Sequence, residues 1–156
     1  MAGSKHSRTS LMDEINIEII RHLSDGRKTF KEIAQSLGVA ENTVRSRVTK
    51  LIDTGILRIA AMVSPAAMPG HYTAYLGMNT VPDQAARIAR ELSELKGVIA
   101  AVCVTGRFDV MCFILFNEDY TMDEFMFEEL PKIHGINKVE QFQIYKSYNH
   151  RCRYIL

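Results

Sequence analysis

The chain has 156 residues, of which 47% are hydrophobic and 24% are charged, a composition that suits one or two small folded domains. Its cysteines, Cys103, Cys112 and Cys152, form no close pair, which argues against both a disulfide framework and a zinc site. No signal-peptide pattern is present, and no apolar run approaches the roughly 20 residues that span a bilayer. The composition therefore predicts a soluble cytoplasmic protein with no membrane partner.

The formal net charge of +1 hides an uneven distribution. Residues 1–60 carry 10 Lys and Arg against 7 Asp and Glu, a net charge of +3, whereas residues 61–156 carry 9 against 11, a net charge of −2. A mildly basic first part and an acidic second part predict different partners for the two. A total charge this small does not by itself imply nucleic acid.

The first part reads as three short helices. Apolar residues repeat with helical spacing over 11–24, and Thr29 with Glu32 forms a capping-box pattern that begins a second helix. Gly38 predicts a sharp turn before a third helix, from about 41 to 54. The apolar seam of this third helix is expected to contain Val44, Val48, Leu51 and Ile52.

The pattern changes after Gly55, and 58–70 is predicted to be a linker strand or hinge because it is extended and holds two prolines. Residues 11–57 would then be one domain of three helices, and the polar residues 1–10 a disordered tail. Residues 71–156 would form a second domain. Its predicted elements are a strand at 72–80, a helix at 83–97, strands at 98–105 and 109–116, a helix at 121–135 that Pro131 bends or shortens, and a strand at 138–148.

This order is βαββαβ, so the predicted fold class is α+β: an N-terminal three-helix helix-turn-helix domain plus a C-terminal ferredoxin-like (ACT-like) domain. The two middle strands, "VIAAVCV" and "VMCFILF", are apolar on both faces. Helices can cover only one face of a four-stranded sheet, and a small domain has no second layer for the other. A second copy of the same sheet is the simplest cover, which predicts a homodimer.

The outward side of the third helix carries Asn, Ser, Thr, Arg and Lys side chains, the donors and acceptors that base edges and phosphates require. The alternative is that polar residues face solvent on every amphipathic helix and bind nothing. The turn at Gly38 and the clustering of basic charge favour double-stranded DNA. The predicted DNA-binding residues are Lys28, Lys31, Asn42, Thr43, Arg45, Ser46, Arg47, Thr49 and Lys50.

Together, "EINIEIIRHLSDGRKTFKEIAQSLGVAENTVRSRVTKLIDTGIL", a Pro-marked connection and a βαββαβ region with "VTGRFDVM" resemble the Lrp/AsnC family of transcriptional regulators, from about residue 11 to 148. The Gly-x-x-Asp of Gly106 and Asp109 makes the match specific. The resemblance implies a sequence-specific DNA-binding homodimer, often assembled further into tetramers or octamers, that responds to a small effector, commonly an amino acid. It makes residues 11–57 a helix-turn-helix DNA-binding domain and residues 71–156 an effector-binding and oligomerisation domain. It places the effector at Thr105, Gly106, Arg107 and Asp109.

Some positions depart from the family pattern, and other interpretations stay open. Ala40 stands where the family often has a Ser cap, Glu41 where it often has Pro, and Asn16 where an Asp is common. The segment "TGRFD" could be only a tight turn, with Gly106 at positive φ and Asp109 bonding backbone amides.

Enzyme chemistry finds little support in the sequence, which shows no catalytic motif, metal-ligand spacing or cofactor-binding run. Cys103 and Cys112 lie in apolar strands, where a buried thiol is usually inert packing. Two alternatives to a regulator remain: a siroheme decarboxylase-like enzyme on the same architecture, and an effector-binding adaptor that no longer binds DNA.

Overall fold

The structure is a computed structural model that describes residues 11–156, and the predicted disordered tail at 1–10 lies outside them. The chain divides into two compact units, Met1–Ile59 and Ala60–Leu156, at a point inside the predicted connection 58–70. Among the described residues, no helix combines the length and apolar character needed to cross a bilayer.

Three helices form the first unit, and each begins and ends where local chemistry requires it. The Asp13 side chain caps the first helix, and the predicted capping box of Thr29 and Glu32 is confirmed at the start of the second. Gly38 ends the second helix in the left-handed conformation, with φ +65° and ψ 30°, which glycine adopts without the steric penalty of a side chain. The helices are α1 (Glu14–Leu23), α2 (Phe30–Leu37) and α3 (Glu41–Asp53).

The core of this unit forms where the apolar stripes of the three helices meet. Val44, Val48 and Leu51 are at most 3% exposed, but Ile52 is 42% exposed, so its predicted place in the seam is wrong. Ile52 follows Val44 by eight residues, which places it about 80° away around the helix, at the edge of the stripe.

The second unit combines strands and helices. The strands are β1 (Met62–Val63), β2 (Tyr72–Thr80), β3 (Val98–Cys103), β4 (Val110–Phe116), β5 (Ile136–Gln143) and β6 (Cys152–Arg153). The helices are α4 (Ala85–Ser93) and α5 (Met122–Glu124). Four of the strands form an antiparallel sheet in the order β3-β4-β2-β5, and β1 pairs with β6. The predicted βαββαβ order is confirmed in β2, α4, β3, β4, α5 and β5.

The last predicted helix is broken rather than continuous. A single α-helical turn, α5, passes into a π-helical segment, Phe125–Glu129, and then a 3₁₀ segment, Leu130–Lys132. Pro131 lies in the 3₁₀ segment and lacks the N–H that would continue α-helical hydrogen bonding. The final long strand also ends at Gln143, five residues before its predicted end at 148.

The two faces of the sheet have different surroundings. Helices cover one face, where Leu76, Met78, Ile114 and Phe116 are fully buried. The other face, here called the open sheet face, carries Tyr75, Val102, Phe113 and Phe142; of these, Tyr75, Val102 and Phe142 are 40%, 49% and 42% exposed. Tyr75 stacks on Phe113 with ring centroids 4.5 Å apart. The prediction that the middle strands are apolar on both faces is therefore confirmed.

The cysteines differ in burial. Cys112 lies in the core, and burial raises the pKa of its thiol to about 12, so it is inert packing as predicted. Cys103 is exposed, contrary to the expectation that it is buried, because β3 is an edge strand of the sheet.

Candidate nucleic-acid interface and effector site

The outward side of α3 is a continuous polar surface. It lies opposite Val44, Val48 and Leu51, which anchor the helix in the core. Five of the predicted DNA-binding residues are exposed along it: Asn42, Arg45, Ser46, Thr49 and Lys50. Thr43 is half-buried, and its carbonyl oxygen accepts a hydrogen bond of 3.1 Å from the Ser46 hydroxyl.

Arg45 is held in a defined direction on this surface. Its Nη2 lies 2.9 Å from Glu41 Oε1, and its guanidinium lies 5.3 Å from the centre of the Phe30 ring. The Arg45 side chain is nevertheless 59% exposed, and an exposed ion pair of this kind contributes little energy. Its guanidinium therefore remains available to a base or phosphate.

Arg47 turns away from the outward surface toward α1. Its Nη1 donates hydrogen bonds to Asp13 Oδ2 at 2.6 Å and to Asn16 Oδ1 at 3.0 Å. Asn16 is only 4% exposed, and its Nδ2 donates to the Leu11 carbonyl at 2.5 Å. The hydrogen bond from Arg47 and that from the Asn16 amide hold the pKa of Asp13 below its usual value. This geometry does not support the prediction of Arg47 as a DNA contact.

The lysines are distributed around the same part of the unit. Lys28 and Lys31 are exposed near the start of α2, and Lys28 Nζ lies 2.9 Å from His22 Nδ1. Lys50 is exposed and lines a cavity of about 310 Å³ with Leu11, Asp13, Asn16 and Arg47. Within residues 11–156, none of Lys28, Lys31 and Lys50 forms a salt bridge, so their charges are free to meet phosphate.

The predicted effector residues lie in the turn between β3 and β4. The Val104 amide donates to the Asp109 carbonyl at 3.0 Å and closes this hairpin. Gly106 has φ +123°, which confirms the predicted positive φ. A Cβ added at Gly106 would meet no atom within 4 Å, and Gly106 is exposed, so there is open space beside the backbone there.

Charged groups tie the hairpin to β5. Arg107 Nη2 lies 2.8 Å and 2.6 Å from the two carboxylate oxygens of Glu140, and Lys138 Nζ lies 2.9 Å from Glu140 Oε1. Hydrogen bonds from Lys138 and Arg107 lower the pKa of Glu140. Arg107 is thus engaged within the unit, although its side chain is 70% exposed.

Asp109 joins the hairpin to β2. Its amide donates to the Met78 carbonyl at 2.9 Å, and its Oδ2 accepts from the Thr80 amide at 2.8 Å. The alternative that Asp109 only bonds backbone amides therefore accounts for one of its carboxylate oxygens, Oδ2. Oδ1 receives no hydrogen bond from another described residue, and this oxygen is available to a ligand.

Sequence reasoning missed the contact that seats the hairpin on the sheet. A Cβ at Gly77 would lie 2.6 Å from the Phe108 ring, so only glycine leaves room for Phe108 to pack on β2. The Asn79 side chain adds a hydrogen bond to the Arg107 carbonyl at 2.8 Å. A glycine inside an otherwise apolar strand was the available signal, since it often marks a close approach.

Comparisons with known proteins identify both units. Residues 12–52 match the AsnC-type helix-turn-helix domain, and residues 73–154 match the Lrp/AsnC ligand binding domain. An uncharacterized HTH-type transcriptional regulator from Pyrococcus abyssi is 33% identical over 137 residues, covering 86% of this chain and 87% of its own.

Solved structures show the same fold. The Mycobacterium tuberculosis leucine response regulatory protein has a TM-score of 0.71 at 21% identity, covering 89% of this chain and 96% of its own. A Neisseria meningitidis transcriptional regulator in complex with L-Met has a TM-score of 0.64 at 22% identity, covering 89% and 93%.

These comparisons give no support to the siroheme decarboxylase or adaptor alternatives, because the named relatives are transcriptional regulators. The polar surface of α3 lies within the helix-turn-helix match, and the Gly106 hairpin lies within the ligand-binding match. The chain belongs to the Lrp/AsnC family of helix-turn-helix transcriptional regulators, with a DNA-binding domain followed by a ligand-binding domain.

Proposed function

We propose that this regulator binds double-stranded DNA by placing the outward surface of α3 in the major groove. The observation that carries the proposal is the exposure of five polar residues on α3 directly opposite its buried anchor. Asn42, Arg45, Ser46 and Thr49 offer groups that read base edges. The phosphates would meet the ammonium groups of Lys28, Lys31 and Lys50, which form no salt bridge within residues 11–156. Thr43 lies at the edge of this surface.

Arg47 has a different part in this proposal. Its hydrogen bonds to Asp13 and Asn16 join α3 to α1, so it sets the direction in which the polar surface faces. It acts as a positioning residue and not as a DNA contact.

The DNA-binding form is a homodimer that joins two open sheet faces. Tyr75, Val102 and Phe142 expose apolar surface that a second copy would bury, and an isologous contact pairs the same residues from both protomers. Two α3 helices would then enter major grooves one helical turn apart, about 34 Å, or a multiple of this distance. Further assembly into tetramers or octamers, as the family resemblance implies, would let DNA contact several dimers.

The effector is a free amino acid bound at the hairpin of Thr105, Gly106, Arg107 and Asp109. The open backbone at Gly106 suits a carboxylate, and the unengaged Oδ1 of Asp109 suits an ammonium group. That the Neisseria meningitidis relative was solved with L-Met supports an amino acid as the ligand class. Effector binding alters DNA affinity only if it favours one assembly state over another.

The test is DNA binding by wild type, Lys50→Ala and Lys132→Ala, measured by fluorescence anisotropy on duplexes selected from a random pool. Lys132 is an exposed lysine of the second unit, paired with Glu129, so its removal matches the charge change. Lys50→Ala should weaken binding and flatten its salt dependence, while Lys132→Ala should change neither. Equal behaviour of the two variants would contradict the proposed DNA surface.

The effector arm of the same experiment uses Asp109→Asn and a panel of the standard L-amino acids. Wild type should show a shift in DNA affinity with at least one amino acid, and Asp109→Asn should lose it while keeping unliganded DNA affinity. A shift that survives in the variant would place the effector elsewhere.

A further inference from the structure

Three aromatic side chains of the second unit are exposed and belong neither to the open sheet face nor to the Gly106 hairpin. Phe127, Tyr145 and Tyr148 are 78%, 97% and 81% exposed, more than any other phenylalanine or tyrosine in residues 11–156. Aromatic residues are enriched in protein–protein interfaces. The segments that carry these three side chains are therefore candidates for a contact with another protein molecule.

Phe127 lies in a stretch of strong negative charge. Residues 118–129, here called the acidic segment, contain six Asp and Glu and no Lys or Arg. Asp123 and Glu128 are exposed, and neither forms a salt bridge within residues 11–156. Phe125 is fully buried in the core, so packing holds the segment in place while Phe127 and the carboxylates face solvent.

An apolar cavity adjoins the acidic segment. It has a volume of about 390 Å³ and is lined, among others, by Met126, Leu130, Pro131 and Ile136. Met126 directly precedes Phe127 in the chain, so the cavity and the exposed ring lie side by side. A hydrophobic cavity beside an exposed ring suits an aromatic side chain from a partner, since such anchors carry much of the energy of an interface.

Tyr145 and Tyr148 lie in a stretch of the opposite charge. Residues 144–153, here called the basic segment, contain three Lys and Arg and no Asp or Glu. Lys146 and Arg151 are exposed and have no salt bridge to another described residue. Lys146 Nζ lies 5.2 Å from the centre of the Tyr148 ring, so a cation and an aromatic face are presented together.

The two segments complement each other in charge and in apolar surface. Both are exposed in the same protomer, so neither covers the other there, and a contact between them has to join two copies of the chain. Phe125 packs in the core that the helices form with one face of the sheet. The acidic segment therefore lies on the helix-covered side, away from the open sheet face, and the copy that reaches it lies outside the proposed homodimer.

From these features we infer that the acidic segment of one dimer binds the basic segment of another dimer. Tyr145 and Tyr148 cover Phe127 and the adjoining cavity, and Lys146 pairs with Glu128. The contact is heterologous, because it joins two different surfaces, so it repeats from dimer to dimer and ends in a ring where the rotation closes. This inference rests on the proposed function, since it names the surfaces through which the proposed dimers assemble further.

The test is sedimentation velocity of the full-length protein and three variants: Glu128→Lys, Lys146→Glu and Phe127→Ala. Wild type should form assemblies larger than a dimer. Each charge reversal opposes like charges and should raise the dissociation constant between dimers about tenfold or more. Phe127→Ala should weaken assembly to a similar extent without a change of charge, because it removes an aromatic anchor. All three variants should remain dimers where wild type assembles.

An equal mixture of Glu128→Lys and Lys146→Glu gives the decisive result. Each variant alone is repelled by its own copies, whereas in the mixture the lysine introduced at position 128 meets the glutamate introduced at position 146. The native pair forms at the other contacts, so the mixture should assemble. Glu94→Lys is the matched control: Glu94 is exposed, lies outside both segments and forms no salt bridge within residues 11–156, and this variant should assemble as wild type does.

Circular dichroism checks that each variant is folded. A wild type that never exceeds a dimer, charge reversals that assemble as wild type does, or a mixture that stays dimeric would overturn the inference. Dissociation of the charge-reversed variants to monomers would also overturn it, because the contact would then lie within the dimer. Weaker DNA binding by Lys146→Glu with unchanged assembly would instead assign the basic segment to phosphate. The results for Lys50→Ala and Asp109→Asn concern other surfaces, so this inference can fail while the proposed DNA and effector sites stand.

Discussion

Replacing Arg47 with Met separates a positioning role from a DNA contact. The change keeps the aliphatic stem but removes the guanidinium that joins α3 to α1. Asn16, 4% exposed, would then keep a buried Oδ1 acceptor without its donor, a loss of about 1–3 kcal/mol. The Asp13 side chain is 46% exposed, so water can replace its half of the interaction and little is added.

Native-state hydrogen exchange of the α3 amides measures this loss within the full-length protein, since it reports local opening. The expected destabilisation corresponds to exchange about 5-fold to 140-fold faster than in wild type. DNA affinity should also fall because α3 is less firmly oriented. The salt dependence, which is the slope of log affinity against log salt concentration, should stay as in wild type. Lys50→Ala should do the reverse: unchanged exchange, and a slope reduced by about 2 for a dimer that loses two phosphate contacts.

Arg21→Met is the matched control for exchange, because Arg21 is 71% exposed and the salt bridge it forms within residues 11–156 is with Glu18 on α1. An exposed pair contributes about 0–1 kcal/mol, so exchange should change little. The reasoning is refuted if Arg47→Met reduces the salt slope as much as Lys50→Ala does and leaves α3 exchange unchanged. Arg47 would then contact phosphate in the complex.

Three further predictions concern other parts of the molecule. Gly77→Ala should displace the Phe108 ring, lower the free energy of unfolding by about 1–3 kcal/mol and weaken amino-acid binding in titration calorimetry. Adding Phe108→Leu should restore stability because the smaller side chain leaves room for the new methyl group. If stability does not recover, the assigned contact is wrong. Tyr75→Glu should shift the dimer toward monomer in sedimentation velocity, because it places a charge in the open sheet face, whereas an unchanged sedimentation profile would contradict that interface. Hydrogen bonds from Thr29 lower the pKa of Glu32 in the folded protein. The Glu32 carboxylate therefore stabilises α2 fully above about pH 4.3, the pKa of Glu in an unfolded chain. This stabilisation is lost as the pH falls through the lower pKa of the folded state. In urea titrations, wild type should therefore exceed Glu32→Gln in stability at neutral pH and lose that advantage in acid, and a constant difference would contradict the linkage.

Much of the fold could be predicted because local patterns determine it. The capping box at Thr29 and the turn at Gly38 are signals within a few residues of chain, and the structure confirms both. The predicted strand at 72–80 matches β2 in full. Apolar residues on both sides of β3 and β4 also predicted that one face of the sheet stays open within the protomer.

The features that were missed depend on residues far apart in the sequence. Arg47 meets Asp13 across 34 positions, and a helical wheel of α3 alone contains no information about α1. Phe108 fills the space above Gly77, a contact that requires the register of the hairpin on the sheet. Ile52 lies at the edge of its helical stripe, where a small error in angle decides between core and solvent.

The same reason explains why the candidate sites were only partly foreseen. Chemical type identified the polar residues of α3, and the family resemblance pointed to the hairpin at Gly106. Engagement of Arg107 by Glu140 depends on the neighbouring strand and was not foreseen.

The short pairing of β1 with β6 bears on how the ligand-binding unit can be excised. Met62 pairs with Arg153 and Val63 with Cys152, and Cys152 is 2% exposed. A fragment that starts at residue 73, where the family match begins, would lack β1, the strand that pairs with β6 in residues 11–156. A fragment that is meant to contain the whole ligand-binding unit should therefore begin no later than Ala60.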